Sequence, residues 1–314
     1  MTTSSTIKNK HIQSYLSMIG DKWRNEFFYN ALLKHAPGKV VLDVGTGTGI
    51  LAFYALKAGA SFVYAVEVGE ERAKIAEKVL ASKFDRNRFK VINANFWTDE
   101  IDNKIPMGTI DVLVTETVGP GLFDQGMVHT WECVKNFASP TMISIPDTLS
   151  IDLLTYNQLN IFDADKLESI TLNKDSVLDD DFFDALVTLD NSTVTSQCIK
   201  INEFPVPDEV NENLFRYSYN NLPNIVFSDD QYPRHIKPII KTTVDIDNPS
   251  TVVIVNKISF EDATLYLHEA TKGMPWEFSR VFDVRNPGKY QIEYVNYDLE
   301  CMPEIEWSFE MVKI

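Results

Sequence analysis

Hydrophobic positions in the first half of the chain alternate between two rhythms. From His11 to Leu33 they fall three and four residues apart, at Ile12, Tyr15, Leu16 and Ile19, then at Trp23, Phe27, Phe28 and Leu32, which predicts helix. Gly20-Asp21 punctuates the run, and Asp21 suits the N-cap of its second part. After His35-Ala36-Pro37-Gly38 the rhythm changes to an unbroken apolar run, Val40-Val41-Leu42, that ends at Asp43-Val44 and reads as a buried strand. Ile50, Leu51, Phe53, Tyr54 and Leu56 restore helical spacing up to Gly59, and Val63-Tyr64-Ala65-Val66 forms a second strand ending in Glu67. A helix over 70–80, with Ile75, Ala76, Val79 and Leu80 inward, precedes a third strand at 89–93. A fourth strand is expected at 110–115, a helix at 128–137 and a strand at 141–145.

Between Pro140 and Pro146 the pattern changes again. Strands are predicted at 151–156, 251–258, 264–268 and 289–294, and the cleanest alternation sets Ile305, Trp307, Phe309 and Met311 against Glu306, Ser308 and Glu310. One helical candidate interrupts them at 179–186, with Asp179, Asp180 and Asp181 at its N-terminus as the helix dipole prefers. Pro205 and Pro207 mark one loop and residues 228–238 another, and residues 1–10 read as frayed. Alternating strands and helices followed by strands predict an α/β domain at 1–145 and a mostly β domain at 146–314.

The stretch from Val40 to Glu67 carries the first chemistry: strand, acid, Gly45-Thr46-Gly47-Thr48-Gly49, helix, strand, acid. This is a βαβ unit with a small-molecule crevice at its strand ends. A nucleoside triphosphate loop needs a Lys after its glycines, and there is none. A dinucleotide turn places its third glycine one residue later, and Asp43 would repel a pyrophosphate. A carboxylate there suits a ligand with an ammonium and no phosphate, and S-adenosylmethionine is such a ligand. Glu67 then falls where an acid accepts hydrogen bonds from both ribose hydroxyls. The alternative, a plain glycine turn with two solvated acids, must meet that order by accident.

Three further positions stand out. Arg24 lies in the first turn of a helix, where a cation opposes the dipole unless an anion occupies it; the cofactor's carboxylate is one candidate, and a solvated or structural Arg is the other reading. Trp97 follows the third strand and either stacks on an adenine or packs on the domain surface. Glu116 ends the fourth strand and opens a loop, Gly119-Pro120-Gly121, whose polar groups would sit beside the crevice as substrate grips.

Composition narrows the partners. The net charge of −16 over 314 residues argues against a nucleic-acid backbone and is compatible with a basic, Arg- or Lys-rich substrate, although solubility alone explains it as well. No apolar run approaches the roughly 20 residues of a membrane span, and no secretory h-region follows Met1. Cys133, Cys198 and Cys301 are few and far apart, which fits a reducing, cytoplasmic setting and gives no metal-site spacing.

Over residues 11–150 the sequence resembles the protein arginine methyltransferases, a family of S-adenosylmethionine-dependent enzymes. Val41-Leu42-Asp43-Val44-Gly45-Thr46-Gly47-Thr48-Gly49-Ile50-Leu51 is similar to the family's first motif. Tyr15-x-x-Met18-x-x-Asp21-x-x-Arg24-Asn25 followed by Phe28-Tyr29 looks like the helix that the family folds over the cofactor, closest to the monomethylating branch. The resemblance implies a Rossmann-like methyltransferase domain followed by a barrel-like β domain. It implies that Arg24 pairs with the cofactor carboxylate, that Asp43 and Gly45 sit under its methionyl part, and that Glu67 holds its ribose. Met18 would line the pocket beside the methyl, and Thr46, Gly47 and Trp97 complete the cofactor-binding set. The implied partner is an Arg-containing protein or peptide, with a homodimer as the assembly.

Two departures bear on the acceptor. The family uses two loop glutamates to hold a guanidinium, which is always charged and a poor nucleophile. Here the first is Glu116, but the second falls on Gln125, which keeps an acceptor and loses the charge. The family's Thr-His-Trp loop has Met274-Pro275-Trp276 as its nearest counterpart, with His268-Glu269 six residues earlier. The stretch around Phe182 is the nearest to a dimerisation arm. Three functions therefore stand: an arginine methyltransferase, a methyltransferase for another acceptor, and a binding or assembly protein that keeps the fold.

Overall fold

The computed structural model describes residues 16–118, 125–156, 168–171, 179, 181–182, 184–186, 195–198, 209–221, 241–248, 250–266, 279–297 and 306–314. The chain forms two compact units. One comprises the residues up to Thr117 together with His129–Pro146 and Leu167–Ile199, and the other holds Val118–Val128, Asp147–Lys166 and the remainder from Lys200.

The first unit is built on a five-stranded parallel sheet: β1 (Val40–Val44), β2 (Phe62–Glu67), β3 (Phe89–Asn93), β4 (Ile110–Thr115) and β5 (Ala138–Ile145), in the order β3-β2-β1-β4-β5. The chain grows outward from β1 through β2 to β3, then crosses to place β4 on the other side of β1. That reversal opens a crevice at the carboxyl ends of β1 and β4, where ligands bind in sheets of this kind. Burial on both faces explains why these strands read as apolar runs and not as alternations. Helices α1 (Leu16–Gly20), α2 (Lys22–His35), α3 (Ile50–Lys57), α4 (Glu70–Ala81) and α5 (Met127–Cys133) follow the predicted order. Asp21 caps α2 as expected, its carboxylate accepting the Arg24 backbone N–H at 3.0 Å. The helix expected to run to Phe137 ends at Cys133 and tightens into a 3-10 turn over Val134–Asn136.

The expected helix at 179–186 is helical at 181–182 and 184–186 and belongs to the first unit. Phe182, Ala185 and Leu186 are buried, and the Phe182 ring meets Phe53 of α3 edge-on at 5.3 Å. Asp179 accepts the backbone N–H groups of Asp181 and Phe182 and pairs with Lys57 at 2.7 Å, while Lys83 reaches Asp181 at 3.1 Å. A hairpin of β7 (Glu168–Thr171) and β8 (Thr195–Cys198) flanks this segment in sequence.

The second unit is antiparallel. Strands β6 (Thr148–Tyr156), β9 (Glu209–Ser218), β11 (Ser250–Phe260), β12 (Ala263–Tyr266) and β13 (Ser279–Val284) share one sheet, and β10 (Lys241–Ile246), β14 (Gly288–Tyr297) and β15 (Glu306–Lys313) form another. The predicted strands at 151–156, 251–258 and 289–294 lie within β6, β11 and β14, and the alternation from Glu306 to Met311 lies within β15. Among the described residues these are open sheets, so the expected barrel is met as a β-rich unit and not as a closed ring. The Met274-Pro275-Trp276 and His268-Glu269 positions, the loops at 205–207 and 228–238, and residues 1–15 lie outside the described residues.

Phe182→Ala removes a fully buried ring and is expected to lower stability by about 3 kcal/mol, read as a shift in the urea midpoint. Lys83→Ala, which breaks an exposed ion pair, should cost less than about 1 kcal/mol.

Candidate functional site

The glycine turn takes its shape from two close approaches. Gly45 and Gly49 have φ of +76° and +92°, which L side chains rarely adopt. A Cβ on Gly45 would stand 2.7 Å from the Thr117 methyl, and one on Gly49 would stand 3.3 Å from the Ala76 Cα of α4. The Gly45 and Thr46 N–H groups donate to the Val66 carbonyl at 2.9 and 3.0 Å, which binds the turn to the end of β2. On the other side the Thr115 hydroxyl donates to the Val44 carbonyl at 2.7 Å, so the ends of β1, β2 and β4 are held together.

Asp43 is fully buried at the end of β1. Its Oδ2 accepts the Thr46 hydroxyl at 2.5 Å and the Ala52 backbone N–H, in the first turn of α3, at 2.9 Å. Its Oδ1 is buried and has no hydrogen-bond partner among the described residues. Burial pushes the carboxyl up from 3.8 to about 7, against the opposing pull of Thr46, Ala52 and the Arg24 charge. An unsatisfied buried acceptor is costly, and a ligand N–H reaching Oδ1 would relieve that cost. The Thr48 hydroxyl, in the same turn, is a second buried group without a partner among the described residues.

Glu67, at the end of β2, is also buried. Its Oε2 accepts the Gly47 N–H at 3.0 Å. Its Oε1 accepts the Gly69 N–H at 2.8 Å and lies 2.8 and 2.7 Å from Nε and Nη2 of Arg72. Asp43, Gly45, Thr46, Gly47 and Glu67 thus lie together at the strand ends, with Arg72 as a neighbour that the sequence did not single out. The signal was present: Arg72 is a cation in the first turn of a helix, the same anomaly that singled out Arg24.

Arg24 is buried and has its anion, which is Glu116. Nε and Nη2 donate to the same oxygen, Oε2 of Glu116, at 3.2 and 2.9 Å, and Nη1 donates to Oδ1 of Asn25 at 3.0 Å. The guanidinium also lies 5.3 Å from the centre of the Phe28 ring. Asn25, fully buried, donates in turn to the carbonyls of Met18 and Ile19 at 3.1 and 2.8 Å, which ties α1 to α2 and fixes the half-buried Met18. Two residues expected in separate roles, one for the cofactor and one for the acceptor, therefore form one ion pair.

Trp97 is anchored inside its unit. Its indole N–H donates to the Thr130 hydroxyl at 2.9 Å and its ring meets His129 edge-on at 5.8 Å, in keeping with the packed reading of this residue. Gln125 is exposed in a turn before α5 and belongs to the second unit, and residues 119–124 lie outside the described residues. No group of metal-ligating side chains occurs among the described residues.

The family model for ribosomal protein L11 methyltransferase (PrmA) matches residues 28–118. Protein arginine N-methyltransferase 9 of Mus musculus is 39% identical over 122 residues, 37% of this chain and 14% of that protein. Probable protein arginine N-methyltransferase 3 of Arabidopsis thaliana is 37% identical over 144 residues, 43% of this chain and 24% of that protein. The chain thus spans less than a quarter of the length of these curated relatives. Among solved structures, a crystal structure of PRMT6 superimposes with a TM-score of 0.60 at 14% identity, covering 95% of this chain and 99% of the other. Arabidopsis thaliana protein arginine methyltransferase 10, in an open conformation, gives 0.57 at 17% identity, covering 95% and 92%. Over the matched residues the chain is similar to protein arginine methyltransferases, and it shares the fold of the two solved structures: a Rossmann-like domain with a β-rich second domain.

The raised carboxyl of Asp43 fixes a sign. Folding favours its protonated form, so between pH 4 and 7 the unfolded chain releases a proton that the folded chain keeps, and stability falls as pH rises. The loss saturates above about pH 7 at an order of 4 kcal/mol. Urea titrations should therefore show Asp43→Asn gaining stability relative to the unsubstituted protein across that window, and a pH-independent difference would refute the assignment.

Proposed function

We propose that the chain is an S-adenosylmethionine-dependent methyltransferase that transfers methyl to a guanidinium nitrogen of an arginine in a basic protein or peptide. The observation that carries this reading is the pairing of Arg24 with Glu116 at the end of β4, beside the carboxylate of Asp43. The Glu116 carboxylate already receives two N–H donors of a guanidinium, in the charge-assisted manner that an arginine acceptor requires.

The donors and acceptors present fit the cofactor. Asp43 offers the ammonium a buried Oδ1 that is unpartnered among the described residues, Arg24 a guanidinium to the carboxylate, and Glu67 an acceptor to the ribose, while Gly45 lets the turn close against the Thr117 methyl. Thr46 and Gly47 hold Asp43 and Glu67 in place, and Met18 is fixed through Asn25. When bound, S-adenosylmethionine supplies an electrophilic methyl on a sulfonium. The chain's own part is then to orient the acceptor nitrogen in line with it and to draw the guanidinium charge toward Glu116, away from the attacking nitrogen.

Residues 1–145 would hold the cofactor, and 146–314, including any closed barrel, would serve substrate or partner. Gln125 favours a second reading, a methyltransferase whose acceptor is neutral, because an amide there removes one of two charges from the acceptor site. A reducing, cytoplasmic compartment suits the widely spaced cysteines, of which Cys133 is a free thiol. A homodimer rests on the family resemblance.

Calorimetry should show S-adenosylmethionine binding that is lost in Glu67→Ala and weakened in Arg24→Ala. Labelled methyl should pass to Arg-rich peptides and not to their Arg→Lys counterparts, with Glu116→Gln lowering transfer at least about 100-fold. Gln125→Glu should raise transfer to arginine; no change or a loss would favour the second reading.

A further inference from the structure

We propose that the outer edge of β3 is a docking groove for an extended segment of a partner protein, one that alternates apolar and acidic residues and adds to the sheet as a further strand. β3 is the last strand of the parallel sheet, and among the described residues no strand pairs with it on the side away from β2. The Ala94 N–H donates to the Glu67 carbonyl at 3.2 Å, and the register pairs Ile92 with Val66 and Lys90 with Tyr64. In a parallel ladder that phase turns the main-chain groups of Lys90 and Ile92 toward β2, and those of Phe89, Val91 and Asn93 outward. Their N–H and C=O groups therefore stand at a free edge, which is the template for strand addition.

The free edge borders a groove of about 500 Å³. Its floor holds Phe89, Val91 and Asn93, the residues whose main-chain groups face outward, and its wall is α4, through Glu70, Ala73, Lys74 and Glu77. Ala73 and Phe89 are buried and Val91 is half-buried, so the bottom of the groove suits a small or branched apolar side chain. The charges of the wall are matched within the protein. Lys74 pairs with Glu70 and Glu71 at 2.8 and 2.9 Å, and Arg86, which also lines the groove, pairs with Glu77. Lys90 is different. Strand alternation places it on the face opposite Val91, where it is exposed. Its ammonium donates to the Lys104 carbonyl at 3.1 Å, and no carboxylate among the described residues pairs with it. A carboxylate on an incoming strand would meet it, whereas a lysine in the middle of a free edge discourages strands that lack one. Apolar side chains toward α4 and acidic ones toward Lys90 are the two faces of one extended segment.

Hydrogen exchange on the full chain reads the edge directly, with a short peptide that alternates valine and glutamate as the probe. When it binds, the amides of Val91 and Asn93 should gain at least about tenfold protection. Those of Lys90 and Ile92, bonded to β2, should be protected throughout. The chain carries a net charge of −16, so non-specific attraction favours a peptide that alternates valine and lysine, and a preference for glutamate reports Lys90. Lys90→Glu should reverse that preference, weakening the glutamate peptide about tenfold in fluorescence anisotropy. Val91→Pro removes an outward N–H that β2 does not use, so it should abolish binding while the sheet still forms. Lys90→Glu alters only an exposed side chain and keeps the test decisive should Val91→Pro fail to fold. Unprotected Val91 and Asn93 amides, tighter binding of the lysine peptide, or glutamate-peptide binding that survives both substitutions would overturn the proposal. None of these readouts involves the cofactor crevice, so the methyltransferase reading stands or falls separately.

Discussion

A carboxylate without water around it sets the terms for the first unit. Asp43 sits at the end of the central strand, and a buried charge is tolerated only where donors meet it. Two of its donors, the Thr46 hydroxyl and the Ala52 N–H, come from the turn and helix that follow, so the glycine turn must fold back over the strand end to supply them. That fold-back forces positive φ at Gly45 and Gly49 and brings the turn against Thr117 and Ala76, where a Cβ on Gly45 would collide and one on Gly49 would be crowded. What remains is an Oδ1 that no described residue meets and a carboxyl raised by burial, which in the proposed function would meet a cationic nitrogen.

The same logic of buried charge links the other site residues. Arg24 and Arg72 both occupy first-turn positions where the helix dipole disfavours them, and each is held by a buried glutamate at a strand end. Removing either arginine leaves a buried glutamate without its cation, so each pair is costly to break from that side even where its net contribution to folding is small. Two ion pairs across strand ends therefore shape the crevice from both sides of the Asp43 carboxylate. Only the pair with Arg24 joins a group expected to meet the cofactor to one expected to meet the acceptor.

The parallel half of the fold was legible because its physics is local. Strands buried on both faces must be continuous apolar runs, helices that cover them must carry a stripe, and the glycine turn must interrupt the two. The β-rich half was only partly legible. β15 alternates cleanly and was read, whereas β9, Glu209 to Ser218, is dominated by polar residues and is a strand because β6 pairs with it over most of its length. Sequence periodicity records which face is buried; it does not record which neighbour supplies the hydrogen bonds. At the site, residue identities were legible and partnerships were not. Nothing local in the sequence says that Arg24 reaches across 92 positions to Glu116, or that the Trp97 indole is held by Thr130.

That gap bears on how the acceptor question is framed. Reading Glu116 and Gln125 as a pair makes the missing charge a defect in a two-carboxylate grip. With Arg24 included, the neighbourhood of Glu116 carries a cation as well as an anion, and an arriving guanidinium must compete with one already present. The competition is between like groups for one oxygen, so its outcome turns on what else Arg24 can bind. A cofactor carboxylate is the one anion in the proposed reaction able to take Arg24 from Glu116 without adding charge to the acceptor side. In the proposed reaction that competition would favour cofactor binding before substrate, whether position 125 carries a glutamate or a glutamine.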